Sequence, residues 1–91
     1  MAYTLVFAPI VVREDMPSVD GEILDRVHDA IDSKLKTRPN IFGKPLRHSL
    51  RNHKALRVGD YRVVYRIDGS VVRIIAIVHR RDVYRVAGMR V

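Results

Sequence analysis

The clearest pattern in the first half of this chain is a stripe of apolar residues at every fourth position. The stripe consists of Val19, Ile23, Val27, Ile31 and Leu35. Leu24 and Ala30 widen it, and most positions between are charged or polar. This spacing predicts an amphipathic helix of about five turns, entered at Pro17-Ser18 and reaching to near Thr37.

β-branched and aromatic residues dominate the start of the chain and most of its second half. Residues 2–8 predict a first strand that Pro9 ends, and residues 10–16 predict a turn of helix. Three more strands are predicted at 54–58, 61–67 and 71–78, separated by turn signals at Gly59-Asp60 and Asp68-Gly69. The intervening segment 41–46 has the character of an ordered loop, Leu46 and Leu50 predict a short helical turn, and 83–86 predicts a last edge segment.

These elements define an α+β domain. We expect an antiparallel sheet of about four strands, with the long N-terminal helix and a short helical segment packed on one face. Alternation then assigns the side chains of the strands to two faces. One face receives Tyr61, Val63 and Tyr65, and the other receives Arg62, Val64 and Arg66. In the last strand, Val72, Ile74, Ala76 and Val78 are expected on the face opposite to Val71, Arg73, Ile75 and Ile77. The face without the helix would remain available for a ligand.

Size and composition indicate a single domain that spans residues 1–91. The chain has no cysteine, which excludes a disulfide scaffold, thiol catalysis and thiolate metal sites. No apolar run approaches the roughly 18 residues that a membrane span requires, and the N-terminus does not resemble a secretion signal. We therefore expect a soluble cytoplasmic protein.

Charge is distributed very unevenly along the chain. Residues 1–43 carry a net charge of −2, whereas residues 44–91 hold twelve Lys/Arg against three Asp/Glu, a net charge of +9. Arginine outnumbers lysine ten to two in that second half. Solubility alone does not require this bias, and the planar guanidinium fits phosphate and stacks on bases. The pattern favours a polyanionic partner, either nucleic acid or an acidic protein.

Candidate chemistry centres on arginine and tyrosine, since the four histidines show no metal-ligand spacing. Arg62 and Arg80 could stabilise the extra negative charge that develops on a phosphodiester during cleavage. Alternatively, Arg62 pairs with Asp60 or Asp68, and Arg80 pairs with Asp82. Tyr84 could transfer a proton or stack on a base, or its ring could cover the core.

The other basic residues are weaker candidates for a role in catalysis. His53 and Lys54 lie at the start of the first predicted strand of the second half. There they could assist at a phosphate, or they could be exposed at a strand edge with no function. His79 is interpreted as structural. Arg57 and Arg47 are interpreted as contacts to phosphate or to a partner, without catalysis. Arg81 is not distinguished from the general basic surface, and Lys44 and Arg81 complete the set of candidate RNA contacts.

Three blocks of sequence resemble the RelE/ParE superfamily of toxins in order and spacing. They are Gly43-Lys44-Pro45-Leu46, Leu56-Arg57-Val58-Gly59-Asp60-Tyr61-Arg62-Val63-Val64-Tyr65 and His79-Arg80-Arg81-Asp82-Val83-Tyr84. The similarity extends to the first strand and the long helix. It implies a microbial RNase-like RelE fold and a cognate antitoxin that wraps and blocks the toxin.

The superfamily holds two activities. RelE-like members cleave mRNA in the ribosomal decoding site by attack of the RNA 2′-OH without a metal, and ParE-like members poison DNA gyrase. The RelE-type arginines and C-terminal tyrosine match Arg62, Arg80 and Tyr84. The lysine pair of that pattern is replaced by His53-Lys54, so Tyr84, His53 and Lys54 all remain candidates for the general base.

The resemblance therefore predicts a ribosome-dependent mRNA endonuclease, or mRNA interferase. Its partners would be an antitoxin, the ribosome and mRNA, and it would need no cofactor, metal or membrane. The alternatives are a ParE-like gyrase poison and an inactive homologue that only binds its antitoxin.

Overall fold

A computed structural model describes residues 2–91, which form a five-stranded mixed sheet between helices. The strands are β1 (Thr4–Phe7), β2 (Lys44–Pro45), β3 (Lys54–Val58), β4 (Tyr61–Asp68) and β5 (Val71–His79). Their order across the sheet is β1-β5-β4-β3-β2. The expected sheet of four antiparallel strands is corrected in two respects. β1 pairs with β5 in parallel, and the loop before β3 contributes the two-residue edge strand β2.

Two N-terminal helices cross over between β1 and the rest of the sheet. Helix α1 combines a π-helical turn, Val11–Asp15, with Met16–Ser18. Helix α2 runs over Gly21–Ala30 and continues as a π-helical turn over Ile31–Leu35. The predicted entry at Pro17-Ser18 is wrong, because these residues end α1. Extended backbone at Val19 separates the two helices, and Asp20 occupies the N-cap position of α2 without a capping hydrogen bond from its side chain.

The apolar stripe of α2 packs on the sheet as predicted. Val27, Ile31 and Leu35 are almost fully buried against Leu56, Val63, Tyr65, Val72 and Ile74. Burial of this size drives the association of the helix with the sheet, since each fully buried aliphatic side chain contributes about 1.5–3 kcal/mol.

A C-terminal helix covers part of the face that was expected to be open. The chain leaves β5 through a 3₁₀ turn, Arg80–Asp82, and then forms helix α3, Val83–Ala87. The predicted edge segment at 83–86 is therefore helical. Val83 and Ala87 are buried in a second core against Leu50, Ala55, Val64 and Ala76. Leu50 ends the predicted short helical turn, His48–Leu50, whereas Leu46 lies before it.

A β-bulge divides β5 into two parts. Val64 pairs with Ala76 and Tyr65 pairs with Ile74, so Ile75 has no partner in the ladder. The extra residue reverses the alternation of side chains, which places Val72, Ile74 and Ile77 in the α2 core and Ala76 in the α3 core. The single alternation predicted through the last strand holds through Ile75 and is wrong from Ala76 onwards for this reason.

Candidate nucleic-acid interface

A groove of about 590 Å³ lies between the loop before β3 and the end of β5. It is bounded by segment 41–46, by β3 and β4, and by helix α3. Its basic and phenolic side chains are Lys34, Lys44, Arg57, Arg62, Arg80 and Tyr84. Five of these six come from the candidate residues of the sequence, and the lining contains no carboxylate.

The floor of the groove holds two arginines in direct cross-strand register. Arg57 of β3 pairs with Arg62 of β4. Arg62 is partly buried, and its Nη1 donates to the carbonyls of Gly59 at 3.1 Å and Tyr61 at 2.9 Å. Burial, followed by the positive charges of Arg57 and Arg80, lowers the pKa of Arg62, while Asp60 opposes this shift. Like charges facing each other across strands are destabilising, so the arrangement favours an anionic ligand.

Arg80 reaches the same site from the turn after β5. Its backbone N–H donates to the carbonyl of Asp60 at 2.8 Å, which fixes the turn against the β3–β4 hairpin. Its exposed Nε lies 4.0 Å from Asp60 Oδ1, a distance at the limit of an ion pair. Arg80 begins the 3₁₀ turn that follows the last strand residue, His79.

The alternative ion pairs considered for these arginines do not form. Asp82 instead pairs with Arg85 at 3.0 Å, and Asp68 pairs with Arg66 and Arg73. The carboxylates of this half of the chain are therefore mostly engaged away from the groove, and the charge of Arg62 and Arg80 remains largely available to a ligand.

Tyr84 forms one wall of the groove from α3. Its hydroxyl accepts a hydrogen bond from the backbone N–H of Arg47 at 3.1 Å, and 47% of the residue is exposed. The His48 ring meets the Tyr84 ring edge-on, with centroids 6.4 Å apart. Tyr84 therefore does not cover the core. Its ring is open to a planar ligand, and its hydroxyl is held by the chain.

His53 and Lys54 do not line the groove. His53 is 6% exposed, contrary to the expectation of a solvated strand edge, and its Nδ1 has no partner among the described residues. Burial, and then the charge of Arg66, lowers the pKa of His53. Lys54 Nζ donates to the carbonyl of Asn40 at 3.0 Å, so this lysine supports the loop.

The remaining expected RNA contacts lie in three different places. Lys44 and Arg57 line the groove, and Arg47 lies beyond Tyr84 in an adjoining concavity. Arg81 folds back on His79, whose Nδ1 accepts from the Arg81 backbone N–H at 3.3 Å and from its Nε at 3.2 Å. His79 therefore caps the turn that carries Arg80, in agreement with its structural interpretation.

Tyr65 has a role at the groove that the sequence did not reveal. Its buried hydroxyl lies 2.7 Å from the carbonyl of Pro39 and 2.6 Å from that of Phe42, which holds the loop lining the groove. Burial raises the pKa of Tyr65 to about 12. Gly43 has φ +80, and a Cβ there would overlap the Tyr65 hydroxyl. In the sequence, only the glycine of the Gly43-Lys44-Pro45-Leu46 block indicated this close packing of the loop against Tyr65.

Lys34 of α2 is a second groove residue that the sequence did not reveal. Its Nζ lies 5.5 Å from the Phe42 ring centroid.

Two general features concern the described chain as a whole. Residues 2–91 contain no group of three or more His, Asp or Glu side chains placed to hold a metal ion. Within the same range, no helix has the length and apolar character required to cross a membrane.

The small mixed sheet with a basic groove beside its last strand belongs to a family of toxins. Residues 7–84 match the family described as ParE toxin of type II toxin-antitoxin system, parDE. Toxin RelG of Mycobacterium tuberculosis is 37% identical over 87 residues, covering 93% of this chain and 99% of that protein. Toxin RelE of the same organism is 46% identical over 73 residues, covering 78% and 75%. The chain therefore belongs to the RelE/ParE family of type II toxin–antitoxin toxins.

Solved structures agree with this assignment. The toxin–antitoxin complex RelBE2 of Mycobacterium tuberculosis contains a chain with a TM-score of 0.79 and 34% identity, covering 88% of this chain and 100% of that one. The free form of toxin RelE from E. coli, a substituted variant, has a TM-score of 0.77 and covers 100% and 99% of the two chains. At 23% identity, the second likeness concerns the fold alone.

Proposed function

We propose that this toxin is a ribosome-dependent mRNA endonuclease that a cognate antitoxin neutralises. The observation that carries the proposal is the cluster of Arg57, Arg62 and Arg80, weakly neutralised and adjacent to the exposed ring of Tyr84. An anion that enters the groove would relieve repulsion already present in the free protein. RNA supplies such an anion together with bases that suit an aromatic wall.

In the proposed mechanism, the 2′-OH of the RNA attacks the neighbouring phosphorus, and the 5′-oxygen leaves. Arg62 and Arg80 both line the groove and stabilise the negative charge that develops on the phosphate oxygens. Arg62 is preorganised for this role, because two backbone carbonyls already fix its guanidinium. Lys44 and Arg57 bind adjoining phosphates, and Arg47 and Arg81 extend the basic surface.

Proton transfer is assigned to Tyr84. Its oxygen takes the proton of the attacking 2′-OH as its own hydroxyl proton passes to the leaving 5′-oxygen, so the products are a 2′,3′-cyclic phosphate and a 5′-hydroxyl. The Arg47 N–H occupies one lone pair of the Tyr84 hydroxyl, which can still donate its proton and accept one further hydrogen bond. Lys54 Nζ is engaged with the carbonyl of Asn40 and His53 is buried outside the groove, so in this mechanism neither side chain touches the reacting atoms.

The partners proposed for this toxin are an antitoxin and the ribosome. RelBE2 of Mycobacterium tuberculosis and the archaeal RelE proteins were solved as toxin–antitoxin complexes. For this chain we infer a cognate antitoxin, and we place the protein in the cytoplasm, where the ribosome orients the mRNA in the groove.

The test is expression of the wild type, Arg62→Ala and Arg80→Ala in growing bacteria, with translation rate and mRNA 5′ ends measured together. We expect the wild type to arrest translation and to produce new ends inside translated codons. Loss of either arginine should lower cleavage by about 10²–10³-fold, as removal of one transition-state donor does. Arg51→Ala removes an exposed arginine outside the groove and should retain wild-type cleavage. Co-expression of the antitoxin should restore growth.

A second candidate function is poisoning of DNA gyrase, which the match of residues 7–84 to the ParE toxin family favours. It predicts intact mRNA, a DNA-damage response and toxicity that survives Arg80→Ala. Normal growth with intact mRNA and no damage response would instead identify an inactive homologue that only binds its antitoxin.

A further inference from the structure

A second concavity shares Tyr84 with the groove. It has a volume of about 460 Å³ and is lined by Arg47, His48 and Tyr84. Tyr84 therefore connects this second space to the groove that holds the arginine cluster. From this geometry we propose that the second concavity is a nucleotide subsite, in which His48 reads the base next to the scissile phosphate. The inference rests on the proposed RNA cleavage.

The backbone at His48 is held in an unusual conformation. His48 is the one non-glycine residue with positive φ in the described chain, at φ +58. A side chain in this left-handed region is strained, and such strain persists where the surrounding structure enforces it. Here the N–H of Leu50 donates to Arg47 O at 3.0 Å, and the N–H of Arg51 donates to His48 O at 3.1 Å. Leu50 is fully buried and anchors this turn in the α3 core.

The strained turn places two groups against Tyr84. The exposed imidazole of His48 lies edge-on to the Tyr84 ring, and the backbone N–H of Arg47 donates to the Tyr84 hydroxyl. Glycine would adopt the same φ without strain, but it would leave the wall of the concavity without a ring. A histidine at this position therefore indicates that the ring itself is used.

The chemistry of the lining fits a nucleotide. Two aromatic rings at an angle form a corner that can receive a flat base, and the guanidinium of Arg47 can bind its phosphate. The lining contains no carboxylate that would repel RNA. The imidazole nitrogens can also donate to or accept from the edge of a base, which would give this position its selectivity.

The test is single-turnover cleavage of mRNA bound to programmed ribosomes, with each codon base varied in turn. The variants are His48→Gly, which suits the positive φ and should fold with unchanged or higher Tm, and His48→Asn, which also tolerates this φ but lacks the ring. The control is His28→Ala, which removes an exposed histidine from α2.

We expect His48→Gly to reduce discrimination at one base position by about 5-fold or more, the scale expected for loss of one hydrogen bond to a base edge. Cleavage of the least favoured codon should change little, and His28→Ala should keep the wild-type preferences. Wild-type discrimination in both His48 variants, or a wild type that cleaves all codons equally, would overturn the subsite while leaving cleavage established. A wild type that cleaves no codon would overturn the proposed function itself.

Discussion

Arg57 and Arg62 occupy directly opposite positions on β3 and β4, so two guanidinium groups share one cross-strand pair in the floor of the groove. Sheets normally place opposite charges or apolar residues at such positions, because like charges there are destabilising. The pKa of Arg62 is lowered in part by Arg57 and Arg80. A neutral or acidic residue at either position would remove the repulsion. The Arg57–Arg62 pair therefore fits the proposed phosphate site, in which the protein is less stable without its ligand than with it.

Replacing Arg57 with Gln should stabilise the free protein while weakening RNA binding. The variant removes one half of the like-charge pair, which should raise the free energy of unfolding by about 0.2–1 kcal/mol at low ionic strength. The gain should shrink as salt is added, because the exposed charges are screened. Urea unfolding at two salt concentrations measures it. Arg51→Gln, an exposed arginine outside the groove, serves as the charge-matched control. Equal stability changes in the two variants would contradict the interpretation.

Replacing Gly43 with Ala should disrupt the loop that lines the groove. Gly43 has φ +80, and the added Cβ would overlap the hydroxyl of Tyr65. We expect a loss of about 3 kcal/mol or more in unfolding free energy, since backbone strain and steric overlap act together. Gly69→Ala provides the matched control, because Gly69 also has positive φ, +59, but has no neighbour within 4 Å of an added Cβ. That variant should lose about 1–2 kcal/mol. Similar losses in thermal or urea unfolding would show that the contact with Tyr65 is unimportant.

Replacing Arg90 with Ala should destabilise the fold far from the groove. Arg90 forms a bidentate ion pair with Asp15, in which Nη1 lies 2.7 Å from Oδ2 and Nη2 lies 2.9 Å from Oδ1. Its Nη1 also donates to the carbonyl of Ile75 at the bulge. Both side chains are largely buried, so the variant would leave an uncompensated carboxylate and should cost about 3–5 kcal/mol.

A double-mutant cycle with Asp15→Asn isolates this pair. The double variant should lose less stability than the sum of the single variants, since the uncompensated charge is then absent. Arg13→Ala breaks an exposed contact of 3.8 Å with Glu14 and should cost at most about 0.5 kcal/mol. Additive losses at positions 15 and 90 would contradict the expected coupling.

Stability should depend on pH through His53. Burial and the charge of Arg66 lower the pKa of His53 below its usual value of 6.5, so the folded state favours the neutral imidazole. As pH falls through 6.5, the unfolded chain binds a proton that the folded His53 does not. The stabilisation that comes from His53 is complete above pH 6.5 and decreases as the pH falls below this value. The decrease levels off below the pKa that His53 has in the folded state.

Urea unfolding between about pH 7.5 and about pH 5.5 tests this dependence. The loss of stability on acidification should be smaller in His53→Gln than in the wild type. The matched control, His28→Gln, alters an exposed helical residue and should retain the wild-type slope. If the slope of His53→Gln equals that of the wild type, His53 is not the group responsible.

Local pattern was sufficient for most of the elements. The fourfold spacing of apolar residues located α2, and the turn signals at Gly59 and Gly69 located the β3-β4-β5 meander to within one residue. These features depend on the periodicity of side chains and on backbone preference, both of which act over a few residues. The RelE-like blocks likewise pointed to Arg62, Arg80 and Tyr84, and all three line the groove.

What the sequence alone determined is the α+β fold class, the family and five of the six basic and phenolic residues that line the groove. The tertiary structure decided the parallel pairing of β1, the bulge at Ile75, the helix at 83–87 and the burial of His53. It also decided that Arg57 faces Arg62 and that Tyr65 holds the loop at Gly43. These features depend on contacts between residues far apart in the chain. Local propensity does not encode strand order, register or which polar groups are sequestered from water, because these depend on how the elements pack together.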